Sequence, residues 1–236
     1  MTTYVLVHGA WHGGWCWRRV AGRLRDAGHE VFTPTMTGLG ERAHLGSPDV
    51  NLDTHIEDIC AVFEAEEIER AVLCGHSYGG MVITGVSDRL ADRISAIIYL
   101  DAFIPEDGQS LFDIQGPERV KMFRDSVAQS GNGWGVTPVS AEYFGVMTLE
   151  DAAWVDRRCT PQPIATYEQP VRRSGADAAI PHKIYIRADK HPNSRFGPYA
   201  EKARNDPGWE YHGVAAGHDV MVDKPEELTE ILLGAG

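Results

Sequence analysis

The chain is poor in the features that would tie it to a membrane, a metal or a nucleic acid. No apolar run approaches eighteen residues, so no membrane span is expected. Met1-Thr2-Thr3 leads straight into an apolar stretch, which leaves no signal-peptide pattern to read. Lysine and arginine number 22 against 34 acidic residues, a net charge of −12. With no basic patch and no interleaved aromatics, nucleic acid and anionic membranes are poor partners. The four cysteines, Cys16, Cys60, Cys74 and Cys159, lack C-x-x-C spacing, and the expectation is free thiols in a reducing, cytoplasmic setting. Ten histidines are present, but none stands in H-E-x-x-H, so no metal is expected. Neither G-x-G-x-x-G nor G-x-x-x-x-G-K-[ST] occurs. No cofactor is expected.

What the chain does contain is a regular alternation of strand and helix signals. With 236 residues, 43% of them apolar, it can build one sizeable core in one domain, 1–236. The expected class is α/β, a mostly parallel sheet with helices on both faces. Helices are expected over Trp15–Ala27 and Leu52–Glu66, with Asp53 and Thr54 starting the second and Glu57 placed for a capping box. From about 105 to 180 the alternation breaks into glycine, proline and scattered aromatics, which reads as a helical cap insertion. Cap residues such as Phe112, Phe123, Trp134, Tyr143 and Phe144 could line an apolar pocket or form the cap's own core. Trp11 and Phe103, beside the motif loops, are the stronger pocket candidates.

Gly75-His76-Ser77-Tyr78-Gly79 is the motif that carries chemistry. Alone, G-x-S-x-G is weak. Here it follows the apolar run Arg70-Ala71-Val72-Leu73-Cys74 and precedes Gly80-Met81-Val82-Ile83-Thr84, the strand–serine–helix context of a nucleophile elbow. Near the N-terminus, Tyr4-Val5-Leu6-Val7 runs into His8-Gly9-Ala10-Trp11, where paired small residues leave the Ala10 N–H free as a donor. With the Tyr78 N–H it would form the two-donor oxyanion hole that acyl transfer requires. A serine needs a neutral imidazole, and that imidazole needs an orienting acid. His8, His12 and His76 lie in the motif loops and are expected to shape them. His29, His44, His55, His182, His191 and His212 have no motif around them and read as surface or capping residues. His218, in Gly217-His218-Asp219 between the last strand and the terminal helix, is the expected base. Asp189, ending the strand Lys183–Ala188, is the preferred acid, and the order Ser77, Asp189, His218 suits it. Asp101, ending the run Ile94–Leu100, is its rival.

These residues make the chain resemble the α/β-hydrolase superfamily over essentially its whole length. Val7–Trp15, Gly75–Met81, Leu100-Asp101-Ala102-Phe103-Ile104-Pro105 and Gly217-His218-Asp219 are similar to the branch of plant methylesterases, salicylate-binding esterases and hydroxynitrile lyases. Within it the chain looks most like small bacterial esterases that cleave pyrethroid esters or aryl carbamates. The resemblance implies an acid after the penultimate strand, which falls on Asp189. It departs from the lyases, which use a lysine after the catalytic histidine and a threonine in the first loop; here stand Asp219 and Gly9-Ala10. The expected activity is hydrolysis of a small, largely apolar carboxylic ester or aryl carbamate through an acyl-enzyme. A homodimer is compatible with this reading. The alternatives are a lyase or cofactor-free oxygenase on the same fold, and a ligand-binding module with little turnover.

Overall fold

The computed structural model describes residues 1–236. Strand β1 (Thr3–Val7) is followed by a 3₁₀ turn at Gly14–Trp17, α1 (Arg18–Asp26), β2 (Glu30–Phe32), α2 (Leu52–Ala65), β3 (Ala71–His76), α3 (Gly79–Arg89) and β4 (Ile94–Leu100). Between β4 and the next long strand lie α4 (Leu111–Gln115), α5 (Pro117–Gln129), β5 (Gly135–Val136), α6 (Ala141–Phe144), α7 (Leu149–Asp156), β6 (Gln162–Pro163) and α8 (Ala165–Glu168). The chain ends β7 (His182–Ala188), α9 (Gly197–Asn205), β8 (Glu210–Val214), α10 (Val220–Asp223), α11 (Pro225–Gly234). The long strands form one sheet in the order β2-β1-β3-β4-β7-β8, every pairing parallel.

Period-two alternation divides the core between the two faces of this sheet. Tyr4, Leu6, Val72, Cys74, Ile98 and Ile184 pack with Val20, Leu24 and Leu232 of α1 and α11 on one face. Val5, Val7, Leu73, Ile97 and Tyr99 pack with Ile56, Phe63, Met81 and Val86 of α2 and α3 on the other. All six residues of β3 are buried, which explains its unbroken apolar reading. Helix α3 is buried from Gly79 through Ser87, as expected of a helix enclosed by the core.

Helix α2 starts at Leu52, as expected, but by a different device. Asn51 is the N-cap: its side chain accepts from the Thr54 N–H, and the Thr54 hydroxyl receives the Asn51 N–H. Glu57 instead pairs with Arg89 on the surface. The segment between β4 and β7 is built of short helices with a two-stranded antiparallel ribbon, β5 with β6.

The strand order places β1 between β2 and β3, so successive connections leave β1 in opposite directions. That reversal opens a crevice above the carboxyl ends of β1 and β3, where open α/β sheets bind ligands. The loop after β1 and the elbow after β3 meet there.

Candidate active site

Ser77 sits at the tip of the β3–α3 turn with φ 55°. Only four non-glycine residues have a positive φ, and three of them, Trp11 (64°), Ser77 and Asp101 (40°), line this crevice or end the strands beneath it. Each such conformation costs on the order of 1–3 kcal/mol, so their concentration here marks a site held against local preference. Tight contacts hold the elbow in place. A Cβ at Gly75 would lie 2.7 Å from the Gly79 carbonyl oxygen, and one at Gly79 would lie 2.8 Å from that of His8. The Ser77 N–H donates to Leu100 O (3.2 Å) and Ser77 O accepts from the Phe103 N–H (3.3 Å), tying the elbow to the end of β4.

The carboxylate beside His218 is not the expected one. Asp101 Oδ2 lies 2.7 Å from His218 Nδ1, while Asp189 is exposed with its carboxylate against Gly213 of β8. The cause is register. β4 and β7 are adjacent, with Leu100 opposite Ile186, and the Asp101 N–H donates to Ile186 O. The positive φ at Asp101 then turns its side chain inward, whereas the Asp189 N–H continues onto Val214 O of β8. Asp101 is fully buried. Burial opposes its charge, but donors from His191 and His218, together with the Arg187 guanidinium, hold it well below the usual carboxylate range. Oδ1 accepts from Arg187 (2.5 Å) and weakly from the Ala188 N–H (3.3 Å). With its Nδ1–H committed to Asp101, His218 keeps Nε2 free to accept a proton.

The other motif histidines brace the loops, and their partners reveal their protonation. His8 donates to Gly9 O and accepts from the Met36 N–H, so it is neutral. His12 faces acceptors with both ring nitrogens, Ala10 O at 2.7 Å and Asp219 Oδ2 at 3.1 Å, and is therefore an imidazolium. Burial works against that charge, and the Asp219 carboxylate more than offsets it. His76 donates to His218 O at 3.0 Å and fixes the backbone of His218. His55, expected at the surface, is fully buried; it donates to Thr37 O and accepts from the Tyr78 hydroxyl at 3.0 Å. His191, also expected at the surface, lies against Asp101.

Neither the Ala10 nor the Tyr78 N–H donates to a protein acceptor. The loop carrying Ala10 is held by the short ribbon: the Trp11 N–H donates to Gln162 Oε1 (3.1 Å) and Trp11 Nε1 to Val136 O (3.0 Å). Nothing in the sequence marked Gln162 for this, because its partner is 151 positions away.

Ser77, His218, Ala10, Tyr78, Trp11 and Phe103 all line one cleft of about 500 Å³, solvent at its mouth included. Phe123, Tyr143, Phe144 and Tyr167 close it from the segment after β4. Trp134 does not line it: its ring packs on Gly46, on the outside of the loop after β2. Phe112 stacks on Phe123 behind the wall, as a residue of the segment's own core. Asp101, His191 and His218 present three donor atoms within 4.8 Å of one another. An ion there would have to displace the proton that His218 gives to Asp101, so the arrangement suits a hydrogen-bonded acid better than a metal.

The buried neutral histidines give a pH prediction. Burial pushes His8 down to about 3 and His55 down to about 4. Both titrate near 6.5 when unfolded, so below that pH the unfolded chain binds more protons and stability falls with pH. The loss approaches about 1.4 kcal/mol per pH unit per histidine until the folded values are reached. His12 has the opposite sign: its contribution is complete below 6.5 and fades as pH rises through its raised folded value. The depressed carboxylates of Asp101 and Asp219 lose theirs only at lower pH, on falling through their folded values. Thermal unfolding should therefore show Tm dropping steeply between pH 6.5 and 4.5. A flat Tm across that window would contradict buried, neutral His8 and His55.

Comparison with known proteins agrees with the geometry. A family model described as "Alpha/beta hydrolase family" matches residues 4–231. The chain is 47% identical over 243 residues to a carbendazim hydrolyzing esterase of Nocardioides sp. (strain SG-4G), covering 100% of both chains. It is 28% identical to Esterase PIR7B of Oryza sativa subsp. japonica, over 98% of this chain and 94% of that protein. Among solved structures, an extracellular alpha/beta-hydrolase from a Paenibacillus species superposes with a TM-score of 0.85 at 28% identity, covering 100% of this chain and 99% of that one.

Proposed function

The chain belongs to the alpha/beta hydrolase family, and from that premise we propose that it is a serine esterase whose working groups are Ser77, His218 and Asp101. It is a carboxylic ester hydrolase, and small-molecule esters are its substrates. The observation that carries the catalytic assignment is the 2.7 Å contact between Asp101 and His218 beneath a cleft that also holds Ser77. Ser77 Oγ attacks the ester carbonyl as His218 Nε2 takes its proton. Asp101 keeps the tautomer and stabilises the imidazolium. The Ala10 and Tyr78 N–H groups receive the oxyanion, an interaction worth about 3–4 kcal/mol of barrier per donor. His218 then protonates the leaving alcohol, and water releases the acyl group by the same steps in reverse.

The 47% identity to a carbendazim hydrolyzing esterase supports including carbamate esters in the substrate range. Aromatic walls around the cleft favour flat, apolar acyl or leaving groups. Asp219, buried against His12, puts an anion where the lyases carry lysine, which favours hydrolysis over cyanohydrin cleavage. Four unpaired cysteines support a reducing, cytoplasmic setting, and no helix is long and apolar enough to cross a membrane.

The test is a rapid acid quench during turnover of a p-nitrophenyl ester and an aryl carbamate, followed by peptide mass analysis. A burst of leaving group with an acyl or carbamoyl adduct on Ser77 is expected, most persistent for the carbamate. An adduct on another residue would remove the assignment.

A further inference from the structure

One oxygen of Asp101 serves two imidazoles. Oδ2 receives His218 Nδ1 at 2.7 Å and His191 Nδ1 at 3.0 Å, and the two rings stack with centroids 4.5 Å apart and planes 27° from parallel. His191 lies just past β7 on a turn whose His191 N–H reaches Ala188 O. Its side chain is 5% exposed. Because its Nδ1 faces a carboxylate, that nitrogen carries the proton, and Nε2 is left as a buried acceptor with no protein partner. An aliphatic side chain would fill this space without stranding a polar atom, so packing alone does not account for a histidine here.

We propose that His191 is a positioning residue of the catalytic acid: its Nδ1–H anchors Asp101 Oδ2 and draws off part of the charge that would otherwise act on His218. This rests on the assignment of Asp101 as the acid. A carboxylate whose Oδ2 accepts from one imidazole alone stabilises the imidazolium strongly. Sharing that oxygen with a second, neutral donor weakens the pull. The shared oxygen also fixes the carboxylate plane, since Oδ1 is held separately by Arg187 and the Ala188 N–H.

His191 can do this only while neutral. Burial lowers its pKa, and the neighbouring His218 and Arg187 act in the same sense, against the pull of Asp101. The other charged or titratable groups around the pair are His76, 4.4 Å from the His218 ring, Asp219, which is already matched to His12, Tyr185, whose hydroxyl donates to Ala102 O, and Arg119, Tyr143 and Arg195, which line the same cleft. None of them contacts Oδ2. His191 is therefore the group whose removal should change the acid without changing its other partners.

The experiment is the pH dependence of kcat/KM for a neutral p-nitrophenyl ester, measured on wild type, His191→Leu, His191→Gln, His191→Asn and Asp101→Asn. Asparagine sets its amide N–H near the position of Nδ1, whereas glutamine reaches toward Nε2 and leaves Asp101 without the donor. His191→Leu and His191→Gln should move the acidic limb upward by about 0.5–1 pH unit and lower kcat by about tenfold, with KM within about twofold. His191→Asn should return the limb to its wild-type position and recover most of kcat. If leucine prevents folding, the contrast between glutamine and asparagine still decides the matter. An unmoved limb in the folded glutamine variant, or no difference between glutamine and asparagine, overturns the inference. Should Asp101→Asn itself work at near wild-type rates, the acid assignment fails, a result separable from the failure of His191 alone.

Discussion

Replacing Ser77 by alanine is expected to lower ester turnover by about 10⁴–10⁶, the scale on which removing a triad nucleophile acts. The fold should survive. Alanine keeps the Cβ and removes only the hydroxyl, and the bonds that hold the turn, Ser77 N–H to Leu100 O and Phe103 N–H to Ser77 O, are made by the backbone. The positive φ of 55° is already carried by a residue with a Cβ, so the variant adds no new strain. KM should change little for small neutral esters, because the aromatic walls supplying the binding surface are intact. Circular dichroism and Tm would establish the fold, and stopped-flow release of p-nitrophenol would measure the rate. Near wild-type hydrolysis by a homogeneous preparation would mean that another group performs the attack.

The elbow was legible in the sequence because its requirements are local. A buried strand, two glycines at points of backbone approach and a small-residue helix all lie within Ala71–Gly85, and the contacts at Gly75 and Gly79 explain why those positions are glycine. The sheet was legible for a similar reason: strands buried on both faces read as apolar runs. The acid was not. Asp101 and Asp189 both follow apolar strands, and those strands turn out to be neighbours, so pattern alone gives each the same claim. What separates them is a single backbone angle at Asp101 and the donors Arg187 and His191 converging on it from 86 and 90 residues away. Chain order and resemblance both favoured Asp189, and neither contains that information. His55 and Gln162 were missed for the same physical reason. Each is a buried polar group whose partner, Tyr78 or Trp11, is brought to it only by tertiary packing. Trp134 was a fair expectation by residue type, but the packing of the segment after β4 turns its ring toward Gly46 and away from the cleft.

The contest between the two aspartates gives the second large effect. Asp101→Asn should reduce kcat/KM by about 10⁴, as exchange of the orienting carboxylate does in the serine protease example. An amide that turned its NH₂ toward His218 Nδ1 would force that nitrogen to accept, placing the imidazole proton on Nε2, where it cannot take the proton of Ser77. An amide that turned its oxygen there would keep the tautomer but lose the charge that stabilises the imidazolium. It would also present its NH₂ to Arg187 at the position of Oδ1. Either orientation fails. Asp189→Asn should stay within about threefold of wild type, because that carboxylate is exposed and makes no hydrogen bond to the site; such surface changes are usually within about 0.5 kcal/mol. Since Asp101 is fully buried and bonded to Arg187, some loss of stability is expected with its variant, and rates should be compared below both Tm values. The distinguishing feature is temperature: a merely destabilised enzyme regains its rate on cooling, whereas an enzyme lacking its acid stays slow at every temperature at which it is folded. If Asp189→Asn proved the crippled variant and Asp101→Asn ran normally, the carboxylate behind His218 would have to be supplied by a rearrangement of the β7 end, and the assignment made from the 2.7 Å contact would be wrong.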